Sequence, residues 1–254
     1  MVEEGSDMNT FVLITAVSSL VLMGFGWFLS GKTIRENGKR HPVYFLYLSV
    51  TVLMAVAVRY HQYMQPEDPL GIAVLKCCAS LPSVLLGLRG FLMEKNRFDL
   101  ILLIAIVFGM FADIAINLNM TLGGILFLIG HLLYDVAFVR ERRPSGRQYL
   151  VWLILYLAAF MILFSVRNRV ATFLFLFALV YFLILTSTIA FSYPLSRIIF
   201  VSAVVFAISD CFLVYNMIAD SNMILKTIAL VIYYFSVLLY GVAIWEISYP
   251  HDRM

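Results

Sequence analysis

The hydrophobic positions of this chain fall in long unbroken runs, not in the alternating or one-faced stripes of a water-soluble fold. Nine runs stand out, at 11–30, 42–60, 70–88, 98–118, 121–139, 149–165, 171–190, 198–217 and 223–245. A helix needs about 20 apolar residues to cross a bilayer core, and each run meets or approaches that length. The run at 149–165 is the shortest. Because the runs are apolar on every face, they predict spanning helices and not barrel strands. Composition agrees: 63% of the 254 residues are hydrophobic and 13% charged, against roughly 25% charged in soluble domains. The expected fold is an all-α polytopic membrane protein, with residues 1–254 forming a single integral membrane domain.

Charge then sets the orientation. Lys32, Arg35, Lys39 and Arg40 follow the first run; Arg89, Lys95 and Arg97 follow the third; Arg140, Arg142, Arg143 and Arg147 follow the fifth. These alternate loops are expected on the cytoplasmic side. The acidic start, the Glu67-Asp68 loop and the Asp220 loop fall on the other side, while Arg167 and Arg169 mildly break the pattern. The N-terminus is therefore expected in the lumen or outside, and the C-terminus in the cytoplasm. The stretch Met1–Asp7 does not read as a cleaved signal peptide. An Asn119-Met120-Thr121 sequon falls in an outer turn that hugs the membrane, and is expected to stay unmodified. The net charge of +3 is scattered and leaves no nucleic-acid footprint. Cys77, Cys78 and Cys211 lie inside apolar runs and suggest no disulfide framework.

Against that background the polar residues inside the runs carry the chemistry. Asp113 sits in Phe108-Gly109-Met110-Phe111-Ala112-Asp113, and Asp210 in Phe206-Ala207-Ile208-Ser209-Asp210. A carboxylate within a span is expensive and marks a functional site by default. Asp113 lies about five residues from the outer end of its run and Asp210 about seven, so at 1.5 Å per residue their depths are similar. Two carboxylates meeting in a dry pocket do not both ionise easily, and the pair can share a proton. The alternative is that each caps an interhelical hydrogen bond and does no more.

Other polar residues are read with two roles side by side. Lys76 either offsets carboxylate charge or holds a phosphate, or its stem snorkels to the outer surface. His131, Tyr134, Asp135 and Phe138 share one helical face. His131 either contacts substrate or makes a helix–helix hydrogen bond, and Asp135 is expected to pair with Arg140 in a structural role. Gly123, Gly124 and Gly130 allow a neighbouring helix to come close. Asn117, one turn beyond Asp113, is placed to hydrogen-bond it; Asn216 is either polar lining or an interface residue. The Phe-rich run 173–182 reads as lipid-facing or core packing. A His-rich metal cage is excluded, because of the four histidines His131 alone lies well inside a run. No metal or cofactor is expected.

These same residues resemble the motifs of the YhhN/transmembrane-protein-86 family, whose characterised members are lysoplasmalogenases. The family's Gly-Asp motif corresponds to Ala112-Asp113, with alanine at the glycine position. Its His-x-x-Tyr motif corresponds to Gly130-His131-Leu132-Leu133-Tyr134 and Phe138. Its late motif corresponds to Phe206, Ser209, Asp210, Leu213 and Asn216. Its paired tyrosines fall on Tyr233-Tyr234, its early lysine on Lys76, and its middle tyrosine on Tyr181. Val237 stands where many members have glutamine.

The resemblance covers about 42–246 and implies eight family-like transmembrane helices plus one additional N-terminal helix. It implies hydrolysis of the sn-1 vinyl ether of a lysoplasmalogen to a fatty aldehyde and glycerophosphoethanolamine or glycerophosphocholine. It also implies Asp113 and Asp210 as catalytic residues. Lys76, His131, Tyr134, Asn117, Tyr181, Ser209, Asn216 and Tyr234 are the implied substrate contacts. Partners are a lysophospholipid and the bilayer, and the endoplasmic reticulum is the implied location. Two other classes fit the buried charges: a proton-coupled transporter of small molecules or lipids, and a non-catalytic lipid-binding membrane protein.

Overall fold

The computed structural model describes residues 41–219 and 223–247, together with Val12, Leu13, Ala16, Val17 and Leu20. The described chain is all-α. Its long helices are α1 (His41–Met64), α2 (Pro69–Glu94), α3 (Arg97–Leu118), α4 (Met120–Glu141), α5 (Gly146–Ser165), α6 (Thr172–Ser192), α7 (Arg197–Ala219) and α8 (Met223–Ile247). A 3₁₀ turn, Arg167–Arg169, follows α5. All eight long helices are long and apolar enough to cross a membrane. They coincide, within a few residues, with the second to ninth runs of the sequence. The expected first span, 11–30, lies outside the described residues except at the five positions just named.

Local signals fix the ends. Asp68 caps α2 by accepting the Gly71 N–H at 2.9 Å, and Pro69 begins the helix, where no intrahelical donor is needed. Asn96 caps α3 through the Asp99 N–H at 2.7 Å. Asn119 alone joins α3 to α4: its N–H closes α3 on the Ala115 carbonyl, and its side chain accepts the Leu122 N–H to open α4. The sequon asparagine is therefore the link itself. At Gly123 a Cβ would stand 2.6 Å from the Ile116 backbone, so only glycine lets α3 and α4 close this tightly.

The bundle is built around α2 and α8. Helix α8 packs against α1, α2, α3 and α7, and α2 against α1, α3 and α8. At Gly241 a Cβ would meet the Ser83 carbonyl oxygen at 2.4 Å, which shows how near the two backbones run. Hydroxyls staple this centre: Ser83 donates to the Val237 carbonyl and Ser202 to the Ser236 carbonyl. Helix α5 is peripheral; it packs on α6 and buries only Leu163. A fully buried layer including Tyr47, Leu102, Phe138 and Tyr240 fills the half of the bundle nearer the arginine-rich turns. The other half is less filled, and a cavity lies there.

Candidate active site

Two buried carboxylates face one cavity. Asp113 on α3 is 3% exposed and Asp210 on α7 is 8% exposed. Both line a cavity of about 560 Å³. On the α2 side, Ser80 donates to Asp113 Oδ2 at 2.7 Å; from α8, Tyr233 donates to the same oxygen at 2.9 Å. Both donors converge on Oδ2, which leaves Oδ1 for the cavity. Asp210 Oδ2 accepts the Tyr181 hydroxyl from α6 at 2.6 Å. Buried polar groups need such partners, and here three helices supply them to two acids.

Lys76, 7% exposed, lines the same cavity one turn before Ser80. It lies in electrostatic reach of Asp113 without forming an ion pair within 4 Å. Beyond it the wall carries Arg59, Gln62, Asn216 and Lys226, so the polar mouth sits at the end of the bundle where α1, α3 and α7 finish and α2, α4 and α8 begin. The remaining wall is apolar and largely from α6, with Phe173, Phe177, Ala178 and Phe182. The Phe-rich run thus faces the cavity at several positions. It was expected to face lipid or pack the core, but a helix apolar all round gives no sequence cue to an internal void.

The structure brings together six of the ten residues expected at the site: Asp113, Asp210, Lys76, Tyr181, Ser209 and Asn216 all line the cavity. The other four stand outside its wall. Asn117 Nδ2 donates to the Asp113 backbone carbonyl at 2.8 Å, not to the carboxylate. The Tyr234 ring is packed at 4.8 Å from that of Tyr233, its hydroxyl buried without a partner. His131 lies behind the floor of the cavity, edge-on to Phe206 at 4.6 Å, with neither ring nitrogen hydrogen-bonded. It borders a separate void of about 10 Å³. Tyr134 stacks on Tyr240 at 4.2 Å. Asp135 does not pair with Arg140; its carboxylate takes the Ser187 hydroxyl of α6. That contact seals it into a helix–helix seam.

The sequence gives no site role to Ser80, Arg59, Gln62 or Lys226, and it marks Tyr233 only as one of the paired tyrosines. Ser80 follows Lys76 by four residues, which puts both on one face of α2, and that spacing was a usable signal. Tyr233 and Tyr234 are adjacent, and nothing in the sequence says which one faces the acids. Arg59 and Lys226 read as ordinary charges near span ends.

Among the described residues, no group of three or more His, Cys, Asp or Glu side chains is arranged to hold a metal ion. What the arrangement offers is a pair of carboxylates with hydroxyl donors at the inner end of an apolar cavity, with cations at its mouth.

The YhhN family matches residues 73–241, well over half of the chain. The chain belongs to the YhhN family. No curated protein and no solved structure matches it. The YhhN segment begins within α2 and ends within α8, so it contains Lys76, Ser80, Asp113, Tyr181, Asp210, Lys226 and Tyr233. Arg59 and Gln62, on α1, lie ahead of it.

Proposed function

We propose that this YhhN protein is a lysoplasmalogenase, and that Asp113 and Asp210 act together on the sn-1 vinyl ether of a lysoplasmalogen. The observation that carries the reading is that both acids line one apolar cavity with room for part of a lipid. The family supplies the reaction class.

The chemistry suits two carboxyl groups with different surroundings. Asp113 has two hydroxyl donors on Oδ2 and Lys76 nearby, and is the anionic partner. Asp210 accepts the Tyr181 hydroxyl and, in this reading, is the partner that carries the proton. That proton passes to the β-carbon of the vinyl ether, giving an oxocarbenium ion. Asp113 stabilises the cation and takes a proton from the water that adds to the α-carbon. The hemiacetal then collapses: its hydroxyl proton goes to Asp210, the bond from the α-carbon to the sn-1 oxygen breaks, that oxygen takes the proton held by Asp113, and a fatty aldehyde leaves. Atoms balance with one water consumed. Two carboxyl groups divide a similar task in glycoside hydrolysis.

If the arginine-rich turns after α2 and α4 face the cytoplasm, the cavity mouth faces the lumen of the endoplasmic reticulum. The test is aldehyde release by purified, detergent-solubilised protein from a lysoplasmalogen, with an ester-linked lysolipid as control and with and without chelator. Release that survives the chelator and disappears in both Asp113→Asn and Asp210→Asn supports the reading. Full turnover by both variants overturns the mechanism, and a protein that needs two compartments to show any effect on lipid is a transporter instead.

A further inference from the structure

The mouth of the cavity carries three cations. Arg59 comes from α1, Lys76 from α2 and Lys226 from α8. Like charges in a half-desolvated wall repel, and Arg59 does act electrostatically on Lys76. Among the described residues, neither Arg59 nor Lys76 has a carboxylate within 4 Å. The guanidinium of Arg59 donates to neutral Gln62 Oε1 at 2.8 Å, and its Nε is buried without a partner. A desolvated cation without a counter-charge is costly, and arginine's planar fork is shaped for oxyanions. Asp113 offsets Lys76, so the charge missing beside Arg59 is what points to the ligand.

Spacing along α2 narrows what that ligand is. Lys76 and Ser80 are one helical turn apart, about 6 Å along the axis. Ser80 holds Asp113. An anion at Lys76 thus sits one turn above the acid, close to the length of a glycerol backbone between a phosphate and the sn-1 oxygen. Between the mouth and the acids the α6 wall, from Phe173 to Phe182, is apolar and suits a chain. We propose that Arg59 and Lys76, with Lys226 at the rim, form a phosphate-binding subsite that seats the headgroup of a single-chain phospholipid and sets its sn-1 linkage at the Asp pair. This rests on the hydrolase reading for the position of the reacting bond. Arg59 makes α1, which precedes the family-matched segment, part of the lipid site.

The experiment is built to separate the two ideas. The probes are a 1-O-alkyl lysophospholipid, whose saturated ether cannot be cleaved by this route, and the matching 1-O-alkylglycerol, which lacks the phosphate. Binding of each to the detergent-solubilised full chain is measured by calorimetry, so no turnover is needed. The lysophospholipid is expected to bind at least tenfold tighter. Arg59→Gln and Lys226→Gln should each remove most of that preference and leave alkylglycerol affinity within about twofold, and Arg59→Lys should restore part of it. Should Arg59→Gln not fold, Lys226→Gln and the wild-type comparison give the answer. Equal affinity of the wild type for both probes overturns the subsite. So does an equal loss of both probes in the variants, or displacement of the lysolipid by inorganic phosphate at comparable concentration, which would mark a free-phosphate site. A clear phosphate preference without aldehyde release leaves the subsite standing and removes the hydrolase.

Discussion

Two regions of this bundle bury an aspartate against a hydroxyl, and they differ in what lies beside the acid. At Asp113 and Asp210, hydroxyls from Ser80, Tyr233 and Tyr181 each take one carboxylate oxygen, and open volume touches both side chains. At Asp135, Ser187 takes one oxygen, the other is buried in the α4–α6 seam, and neither cavity reaches it. The hydrogen-bond chemistry is nearly the same. A carboxylate inside the membrane is a reason to look for a site, and adjoining space with a second acid is what makes one.

The sharpest way to break this comparison is to neutralise each acid in turn. Asp113→Asn and Asp210→Asn should each lower aldehyde release by about a thousandfold, in the range for losing an acid or base. Asp135→Asn should leave kcat/KM within about threefold and act on folding alone. If Asp135→Asn matches the other two, the distinction between open and sealed acids fails.

Next come the hydroxyls. Tyr233→Phe and Tyr181→Phe should each cut kcat by about 10- to 100-fold, because each unclamps one acid at the cavity. Ser187→Ala should change kcat little. Its cost should appear in thermal unfolding, at about 1–3 kcal/mol for an acceptor left unpaired.

Packing gives a smaller effect on the reaction. Gly241→Ala forces a methyl against the Ser83 carbonyl, away from the open volume. It should destabilise the bundle by about 1–3 kcal/mol, the usual range for overpacking. Activity per folded molecule should barely change. A large loss of kcat with intact stability would show that the tightly packed α2–α8 contact is coupled to the acids.

The smallest effect lies outside the membrane, at the turn between α1 and α2. The Gly71 N–H, and after it His61, hold the Asp68 carboxyl below its ordinary range. A group depressed in the folded state contributes stability that is complete above its unfolded value of about 3.9. That contribution is lost as pH falls through the lower folded value. Asp68→Asn should flatten the acid limb of the stability profile. A profile unchanged by the substitution would mean that this clamp contributes nothing.

Much of the fold was legible, because eight apolar runs can only be satisfied as spanning helices and their ends carry Asp68, Asn96 and Asn119 as caps. Asp113 and Asp210 stood out for the same reason: a lone acid in an apolar run is visible by contrast. What stayed hidden depends on which way a residue faces. Tyr233 and Tyr234 are chemically identical neighbours, and helix α8 turns the first toward the cavity and the second away. Phe177 and Phe182 look the same facing a void as facing lipid. The pairing of Asp135 with Ser187 joins residues far apart in the chain, and the nearer Arg140 was the more obvious partner in one dimension. His131 shows the converse, since its motif position drew attention while its ring ended behind Phe206.

The single-residue link at Asn119 carries one more consequence. Helices α3 and α4 are tied as a hairpin, since one residue leaves no slack between them. Neither can slide along its axis without dragging its mate. The depth of Asp113 is therefore coupled to that of α4.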